Sequence, residues 1–485
     1  MEEIYEELNI YTSTEHIINE EDYIVKSIGA FGVWQTGVCL SAISARMLAM
    51  LNIFSMLFLI PSIDFKCIDP VLTENNSCHD DCELYSFDNE VFEQTVISEF
   101  GLICDDEWKG SFIQTILMFG LLCGVSLFGW ISDRYGRRTA LLICTYTNIA
   151  LMLAAPFSPN YWSFVTLRFL IGIPSGGTLI VGIVYIMEIV GPKHREVVGT
   201  LALLPDGLTQ ASLSLFAYYT RNWRIYSLAY TALSVIPFVL VLFIPESPRW
   251  LISKGERDKA YAVMLEAAER NKLDTLNIRE NIDKALSEMN YKNTSKKPCY
   301  LDLFGTKELA FKTFALAAIW TSAGACFLGI NQYITFLGSN VFIAVALLGC
   351  IQIPICPIAI ILNKMFGRRI IIVASLLTTG LTMIALLFTP QGHAACIIFS
   401  VIGFASATII FCIIYIYTSE LFPTSLRNMG YGMTSAGAKI GAMAAPFIAS
   451  INPHWIPSSI FAVISFSSSF VCIFLPETKG VNLDT

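Results

Sequence analysis

The sequence predicts an all-α membrane protein with twelve transmembrane helices in two six-helix repeats. Hydrophobic residues make up 54% of the 485 residues and charged residues 14%, which is far from the composition of a soluble domain. Twelve apolar runs approach or exceed the roughly 20 residues that a helix needs to cross a bilayer. Helices are predicted because backbone groups in lipid must be hydrogen-bonded within their own segment. The runs are 37–60, 111–131, 139–156, 162–187, 197–219, 224–244, 311–330, 341–362, 370–389, 394–417, 429–450 and 456–475.

The second half of the chain repeats landmarks of the first at an almost constant offset. Gly136 and Gly367 each stand before a pair of arginines and lie 231 residues apart. The acids Glu188 and Glu420 lie 232 residues apart. Within one residue, the same offset relates Arg195 to Arg427, Gly172 to Gly403 and the Pro-Glu dipeptide at 245 to the one at 476. Self-similarity at a fixed spacing indicates an internal repeat.

Charge in the short loops predicts how the repeats are oriented. The loops after the second, fourth, eighth and tenth runs are basic, and short loops rich in Lys and Arg stay in the cytoplasm. The loop after the fifth run is an exception, since it carries Arg221 and Arg224. We therefore predict that both termini are cytoplasmic. The predicted division is an N-terminal tail (1–27), the first repeat (28–245) with an external loop (61–108), a cytoplasmic helical linker (246–310), the second repeat (311–477) and a C-terminal tail (478–485).

The predicted external loop has two features of an extracellular surface. Its even number of cysteines, on the oxidising side of the membrane, predicts two disulfides. Three pairings are open among Cys67, Cys78, Cys82 and Cys104. Asn75 begins a glycosylation sequon in the same loop.

Motifs at the ends of the apolar runs are specific enough to indicate a family. Those at the ends of the repeats and after the second run are GWISDRYGRR (129–138), PESPRW (245–250) and PETKG (476–480). Two others are EFGLICDDEW (99–108) and SELFPTSLRNMGYG (419–432). Together they resemble the major facilitator superfamily and, within it, the organic cation, organic anion and carnitine transporter family. The resemblance implies the major facilitator fold, with alternating access around a site near the bilayer midplane.

The resemblance also implies ion-pair clusters at the cytoplasmic ends of the two halves, which hold one conformation and release in the other. Asp133, Arg137, Glu188 and Arg195 are expected to bridge helices of the first half. Lys364 stands where the first half has Asp133. This predicts a weaker latch in the second half. A slow or degenerate transporter is therefore kept as an alternative interpretation. The expected gating residues are Asp133, Arg134, Gly136, Arg137, Glu188, Arg195, Glu246 and Arg249, and in the second half Gly367, Arg368, Glu420 and Arg427.

Arg46, Asp206 and Lys439 are charged residues inside apolar runs. They are candidates for substrate binding, because a charge within the bilayer costs about 2.5 kcal/mol or more. In the resembled family, anion and carnitine transporters carry an arginine at the Lys439 position and cation transporters an acid, so lysine favours an anionic ligand. Gln352 takes a position that is an acid in many of those relatives, which favours the same ligand. Asp206 is expected either to neutralise Arg46 or Lys439, or to bind the cationic end of a zwitterion.

Aromatic side chains are expected along the same cavity, because a π-face suits both organic cations and flat anions. The candidates are Trp320, Phe327, Tyr185 and Tyr417, each of which packing alone would also explain. One observation opposes an anionic substrate, since the predicted external loop is rich in acids. Salt screens such a field beyond about 8 Å, so the charges inside the membrane carry more weight.

The sequence predicts a transmembrane secondary transporter of small organic ions, with organic anions or carnitine-like zwitterions as the favoured class. An organic cation or sugar porter of the same superfamily is one alternative, and a non-transporting membrane receptor or scaffold is another. We predict no enzyme activity, no cofactor, no metal site and no nucleic-acid partner. The expected partners are the lipid bilayer, a small organic ion and, as an open option, a coupling or exchange ion. The predicted location is the plasma membrane, and the oligomeric state is left open.

Overall fold

The computed structural model describes residues 23–69, 78, 82, 84–292, 300–336, 340–390, 392–423, 426–453 and 455–479. These residues form a helical bundle with one small β-hairpin, which confirms the all-α prediction for the bundle. The predicted glycosylation site Asn75 and most of the two predicted tails (1–22 and 480–485) lie outside the described residues.

Each predicted apolar run except the fifth corresponds to one helix or to a helix with a short continuation, and we number the twelve main helices 1 to 12 along the chain. Helices 1 to 6 are Val33–Phe54 (continued by Met56–Leu59), Trp108–Tyr135, Arg137–Ala154, Tyr161–Ile189, Leu204–Thr220 and Trp223–Ala232 (continued by Val235–Leu240). Helices 7 to 12 are Lys307–Tyr333, Val341–Met365, Arg368–Leu387, Ala394–Leu421, Arg427–Ala449 and Trp455–Ile473. Helix 7 begins four residues before its predicted run, because the Thr306 side chain accepts a hydrogen bond from Leu309 N and caps it.

Ten of these helices are long and apolar enough to cross a membrane by length and composition. Helices 5 and 11 are not among the ten. Helix 5 has 17 residues and carries Asp206. Helix 11 contains Lys439 among glycine, alanine and serine residues. Both helices line the space between the two halves, where polar and small residues do not face lipid.

The fifth predicted run, 197–219, is not one helix. Its first residues belong to a short helix, Pro192–Leu201, which connects helices 4 and 5. Helix 5 begins afresh at Leu204 with a proline in its first turn. Pro205 has no backbone N–H to continue the preceding helix, but it is tolerated in the first turn of a new one.

The long loop after helix 1 is crosslinked by two disulfides. Strands Phe65–Asp69 and Leu84–Phe87 pair antiparallel. Among the three open pairings, the structure has Cys67–Cys82 and Cys78–Cys104. A short helix, Val96–Phe100, follows and is capped by Thr95 in a capping box. We call the end of the bundle that carries this loop the loop end.

The helices of the linker between the repeats pack against the first half, and the 3-10 turn that follows them packs against helices 7 and 11. The linker contains helices Pro248–Ser253, Arg257–Arg270 and Ile278–Lys292 and a 3-10 turn, Tyr300–Phe304. Asn271 connects this linker to the start of helix 1. Its Nδ2 donates to Gln35 Oε1 (2.7 Å) and to Ile28 O (2.8 Å), and its Oδ1 accepts from Trp34 N (3.0 Å). These bonds hold a short N-terminal helix, Tyr23–Ile28, against the linker.

The two halves meet through helices 2 and 11 and through helices 5 and 8. At the loop end the contact is closed. The Phe342 ring of helix 8 lies 5.8 Å from Phe58, 5.3 Å from Phe92 and 5.6 Å from Tyr218, all three from the first half. The opposite end carries Arg137, Arg195 and Arg368, and we call it the basic end.

Candidate functional site

A cavity of about 250 Å³ lies between the two halves. Its walls come from helices 1, 2, 4 and 5 of the first half and from helices 7, 8, 10 and 11 of the second. Arg195 and Glu196 of the short helix Pro192–Leu201 also line it. The cavity therefore extends from the middle of the bundle toward the basic end.

Arg46 and Asp206 form a bidentate ion pair in the wall of this cavity. Arg46 Nε donates to Asp206 Oδ1 (2.9 Å) and Arg46 Nη2 to Asp206 Oδ2 (2.8 Å). The two side chains are 15% and 5% exposed. Asp206 lies in the first turn of helix 5, where the exposed N–H groups of the helix favour a negative charge. Of the two expectations for Asp206, neutralisation of Arg46 is the one that this structure contains.

Lys439 lines the same cavity from helix 11. Among the described residues, no carboxylate forms an ion pair with its ammonium. Arg46 lies near enough for its charge to act on Lys439, and that charge has the same sign. Because Asp206 already neutralises Arg46, these three residues leave the middle of the cavity with one net positive charge.

An aromatic wall borders the charged residues. Trp320 of helix 7 meets the rings of Tyr415, Phe411 and Tyr431 edge-on, at centroid distances of 4.8, 6.1 and 6.1 Å. Phe327 lies 5.2 Å from Phe411. All five rings line the cavity. Trp320 and Phe327 are thus brought to the cavity, as expected for their candidate role.

Sequence reasoning missed Phe411, Tyr415 and Tyr431. A signal for the first two was present in helix 10, because the cavity-lining residues there recur at helical spacing. They are Thr408, Phe411, Cys412, Tyr415 and Ile416. Residues spaced by three or four share one face of a helix.

Tyr185 and Tyr417 do not line the cavity, which corrects the sequence prediction for both. Each is fully buried within its own half. Tyr185 Oη donates to Pro245 O (2.7 Å), and Tyr417 Oη donates to Pro476 O (2.8 Å). Tyr417 lies two residues after Tyr415 and therefore faces the other side of helix 10. Both tyrosines anchor the backbone at the end of a repeat.

Gln352 lines the cavity from helix 8 and is 2% exposed. Its Oε1 has no hydrogen-bond partner in the described part of the chain. A buried acceptor without a partner is unfavourable, so this oxygen is available to a donor on a bound molecule or to water. Helix 5 approaches closely here, since a Cβ on Gly207 would lie 2.6 Å from Gly349 O.

Comparison with known proteins assigns the family. The chain matches the family described as "Sugar (and other) transporter" over residues 38–485. It is 30% identical over 404 residues to solute carrier family 22 member 16 of Xenopus laevis, covering 82% of this chain and 71% of the relative. It is also 30% identical over 406 residues to solute carrier family 22 member 7 of Mus musculus, covering 82% and 74%. The chain belongs to the solute carrier 22 family.

Two further similarities agree with this assignment. This solute carrier 22 chain is 28% identical over 442 residues to organic cation/carnitine transporter 2 of Homo sapiens, covering 90% of this chain and 78% of the relative. Among solved structures, the xylose transporter XylE from E. coli in an inward open conformation has a TM-score of 0.68 at 16% identity. That alignment covers 93% of this chain and 98% of the other. It shows the fold, which is that of the major facilitator superfamily.

In this solute carrier 22 protein, an ion-pair cluster lies at the basic end of the first half. Arg137 donates to Glu188 from Nε (3.0 Å) and Nη2 (2.7 Å), and from Nη1 to Asp133 (2.9 Å). Glu246 accepts a hydrogen bond from Arg137 N (2.7 Å). Gly136 has a φ of 103°, and a Cβ there would lie 2.2 Å from the Glu246 carboxylate. Only glycine fits this turn without strain.

The other expected gating residues of the first half lie around this cluster. Arg249 Nε donates to the backbone oxygen of Glu188 (2.7 Å). Arg195 Nε donates to a backbone carbonyl five residues earlier (3.1 Å), and its side chain reaches the cavity. Arg134 is exposed, with its guanidinium 5.4 Å from the centre of the Trp130 ring. Arg134 is therefore a surface residue.

The second half repeats the arrangement with fewer hydrogen bonds. Arg368 Nη2 donates to Glu420 (3.2 Å) and Arg368 N donates to Glu477 (2.8 Å). A Cβ on Gly367 would lie 2.1 Å from the Glu477 carboxylate. Arg368 Nε and Arg427 Nε are buried without a partner among the described residues. Arg368 is thus held by fewer hydrogen bonds in this structure than Arg137, and the weaker latch in the second half stays a prediction.

The two halves also touch at the basic end. Asn363, at the end of helix 8, donates a hydrogen bond to Glu196 of the short helix Pro192–Leu201. Glu196 lines the cavity as well. This contact narrows the side of the cavity opposite the closed loop end.

Proposed function

We propose that this transporter carries small organic anions across the plasma membrane by alternating access, with both termini in the cytoplasm. The observation that carries the proposal is Lys439, a cavity-lining ammonium without an ion-pair partner among the described residues. A buried unpaired charge is unfavourable. An entering carboxylate or sulfonate supplies the missing opposite charge.

The paired Arg46 and Asp206 support the same sign of substrate. Asp206 makes two hydrogen bonds to Arg46, so a cation would have to compete with a guanidinium for it. Gln352 adds an uncharged group where an acid would attract an ammonium. Aromatic rings around Trp320 provide an apolar surface for the organic part of the substrate.

A carnitine-like zwitterion is the second candidate, and the aromatic wall favours it. A quaternary ammonium group binds the faces of Trp and Tyr rings. The ring centroids of Trp320, Tyr415 and Tyr431 lie within 6.1 Å of one another. In this case Lys439 binds the carboxylate and the rings bind the ammonium. A relative named organic cation/carnitine transporter 2 supports this candidate.

The proposed transport cycle uses the contacts at the two ends as gates. Opening of the loop end requires Phe342 to leave its contacts with the first half. Opening of the basic end requires Asn363 to leave Glu196. We propose that the clusters around Arg137 and Arg368 keep each half rigid during this motion.

Uptake by cells that express Lys439→Gln tests the proposal. We expect uptake of a radiolabelled carboxylate to fall at least about tenfold, the value of a lost charge-assisted hydrogen bond, with surface expression retained. Lys439→Arg keeps the charge and is expected to keep part of the uptake. Lys312→Gln removes a lysine that pairs with Glu308 at the start of helix 7 and serves as the matched control.

Three outcomes contradict the proposal. Unchanged carboxylate uptake in Lys439→Gln refutes the role of Lys439. Uptake inhibited by quaternary ammonium compounds but unaffected by carboxylates or carnitine indicates an organic cation transporter. If the purified protein moves none of these compounds in vesicles, the non-transporting receptor or scaffold becomes the better interpretation.

A further inference from the structure

The middle of the cavity contains two cations, Arg46 and Lys439, and one anion, Asp206, and their pairing is unequal, while Arg195 and Glu196 line its basic end. Arg46 is bound by Asp206 through two hydrogen bonds of 2.9 and 2.8 Å. Lys439 has no carboxylate partner among the described residues. All three side chains line the same space. Lys439 is therefore free to bind a ligand, whereas Arg46 becomes free only if its ion pair with Asp206 breaks.

Asp206 is the carboxylate that can respond to such a ligand. The side chains of Arg46 and Asp206 both reach the cavity, where they are 15% and 5% exposed. Helix 8, which packs against helix 5, presents only the uncharged Gln352 to this cavity. The other charged or titratable groups in the middle of the cavity are Arg46 of helix 1, Cys412 and Tyr415 of helix 10, and Tyr431 and Lys439 of helix 11.

We propose that the cavity binds an organic monoanion without a proton, and an organic dianion together with one proton that Asp206 takes up. This inference rests on the proposed anion transport and adds a rule for its coupling to protons. A monoanion on Lys439 brings the middle of the cavity from one net positive charge to zero. No change at Asp206 is then needed.

A dianion changes this charge balance, because its second anionic group forms an ion pair with Arg46. When that group takes the guanidinium, the Asp206 carboxylate loses both of its hydrogen bonds. It is left in a space lined mainly by apolar and aromatic side chains, where an unpaired charge costs several kcal/mol. A proton neutralises the carboxylate: a hydronium ion or a buffer acid in bulk water breaks its own bond to that proton, and one O–H bond forms on Asp206. The arginine exchanges one carboxylate partner for another, and no other bond changes.

Calorimetry on the purified full-length protein measures this proton directly. Binding heats of hexanoate and adipate, taken in buffers of different ionisation enthalpy, give the number of protons bound per ligand. Both chains are flexible, and both are largely ionised between about pH 6 and about pH 7. We expect about one proton per adipate and none per hexanoate. The adipate affinity is expected to fall about tenfold between these pH values while the hexanoate affinity stays constant.

The variant Asp206→Asn tests whether Asp206 is the residue that takes up the proton. This variant leaves Arg46 and Lys439 as two free cations, so adipate is expected to bind without proton uptake. If the variant does not fold, infrared difference spectra of the wild type with carbon-13-labelled adipate replace it. A new protein carboxylic-acid band is then expected on adipate binding and not on hexanoate binding.

The outcomes separate this inference from the proposed function. Binding of neither compound overturns both. Hexanoate binding without adipate binding, adipate binding without a proton, or a proton bound with hexanoate overturns the coupling rule alone. Proton uptake that persists in Asp206→Asn, or the absence of a new carboxylic-acid band, also overturns it. Only a proton that accompanies adipate and depends on Asp206 supports the rule.

Discussion

Arg137 and Glu188 form a bidentate ion pair between helices 3 and 4, with nitrogen–oxygen distances from 2.7 to 3.1 Å. The corresponding pair of the second half, Arg368 and Glu420, has a hydrogen bond of 3.2 Å. The four side chains are between 11% and 19% exposed. Burial is therefore matched, and the difference lies in hydrogen-bond geometry, which decides the strength of such pairs.

We predict that the first-half pair contributes more to stability than the second-half pair. Arg137→Ala leaves the Glu188 carboxylate with the Ser247 hydroxyl but without its arginine, and is expected to cost about 3 kcal/mol. Arg368→Ala breaks a longer bond and is expected to cost about 1.5 kcal/mol. Thermal unfolding midpoints in detergent measure the difference, with the exposed Arg134→Ala as a control that changes little. Equal losses at the two positions would contradict the prediction.

Two tyrosines on helix 10 are predicted to have separable roles. Tyr415 lines the cavity and lies 4.8 Å from Trp320, whereas Tyr417 is buried within the second half. Tyr415→Ala is expected to raise the KM for substrate about fivefold, the value of one aromatic contact, with a small change in stability.

Tyr417→Ala is expected to destabilise the protein by about 3 kcal/mol, as for other buried aromatic residues, and to leave KM unchanged. Tyr417→Phe is a milder control that removes only the hydrogen bond to Pro476, at a cost of about 1 kcal/mol. For the three variants, uptake kinetics measure KM and thermal unfolding midpoints measure stability. A raised KM in Tyr417→Ala would show that our assignment of helix faces is wrong.

The crossing of helices 5 and 8 is predicted to tolerate only glycine. A Cβ on Gly207 would lie 2.6 Å from Gly349 O, so an alanine forces the two helices apart. We expect Gly207→Ala to cost about 2 kcal/mol and to reduce uptake, because this contact joins the halves beside the cavity. Gly129→Ala is the control, since a Cβ there meets nothing within 4 Å. Similar uptake by both variants would show that the close approach is dispensable.

Local patterns in the sequence were sufficient for most of the fold. Long apolar runs require helices in lipid, and the offset near 231 residues pairs Arg137 with Arg368 before any coordinates are known. The division near Pro205 was missed, because hydropathy continues across the break between Pro192–Leu201 and helix 5. An apolar run indicates which segment is buried, but it does not indicate where a proline lacks the backbone N–H that would continue the helix.

Charges within the membrane were visible in the sequence, but their partners were not. Arg46, Asp206 and Lys439 stand out because charge inside an apolar run is costly. Which cation Asp206 neutralises depends on the distance between helices that are 160 residues apart along the chain. The same holds for Tyr415 against Tyr417, since the rotation of helix 10 in the bundle decides which ring faces the cavity.

By itself, the sequence determined the membrane class of this protein, its twelve helices, its duplication and the positions of its buried charges. These properties follow from the composition of single segments and from their repetition along the chain. The tertiary structure alone decided the pairing of Cys67 with Cys82, the partner of Arg46 and the residues that line the cavity. Such properties depend on distances between segments that are remote in sequence, and packing of the whole bundle sets those distances.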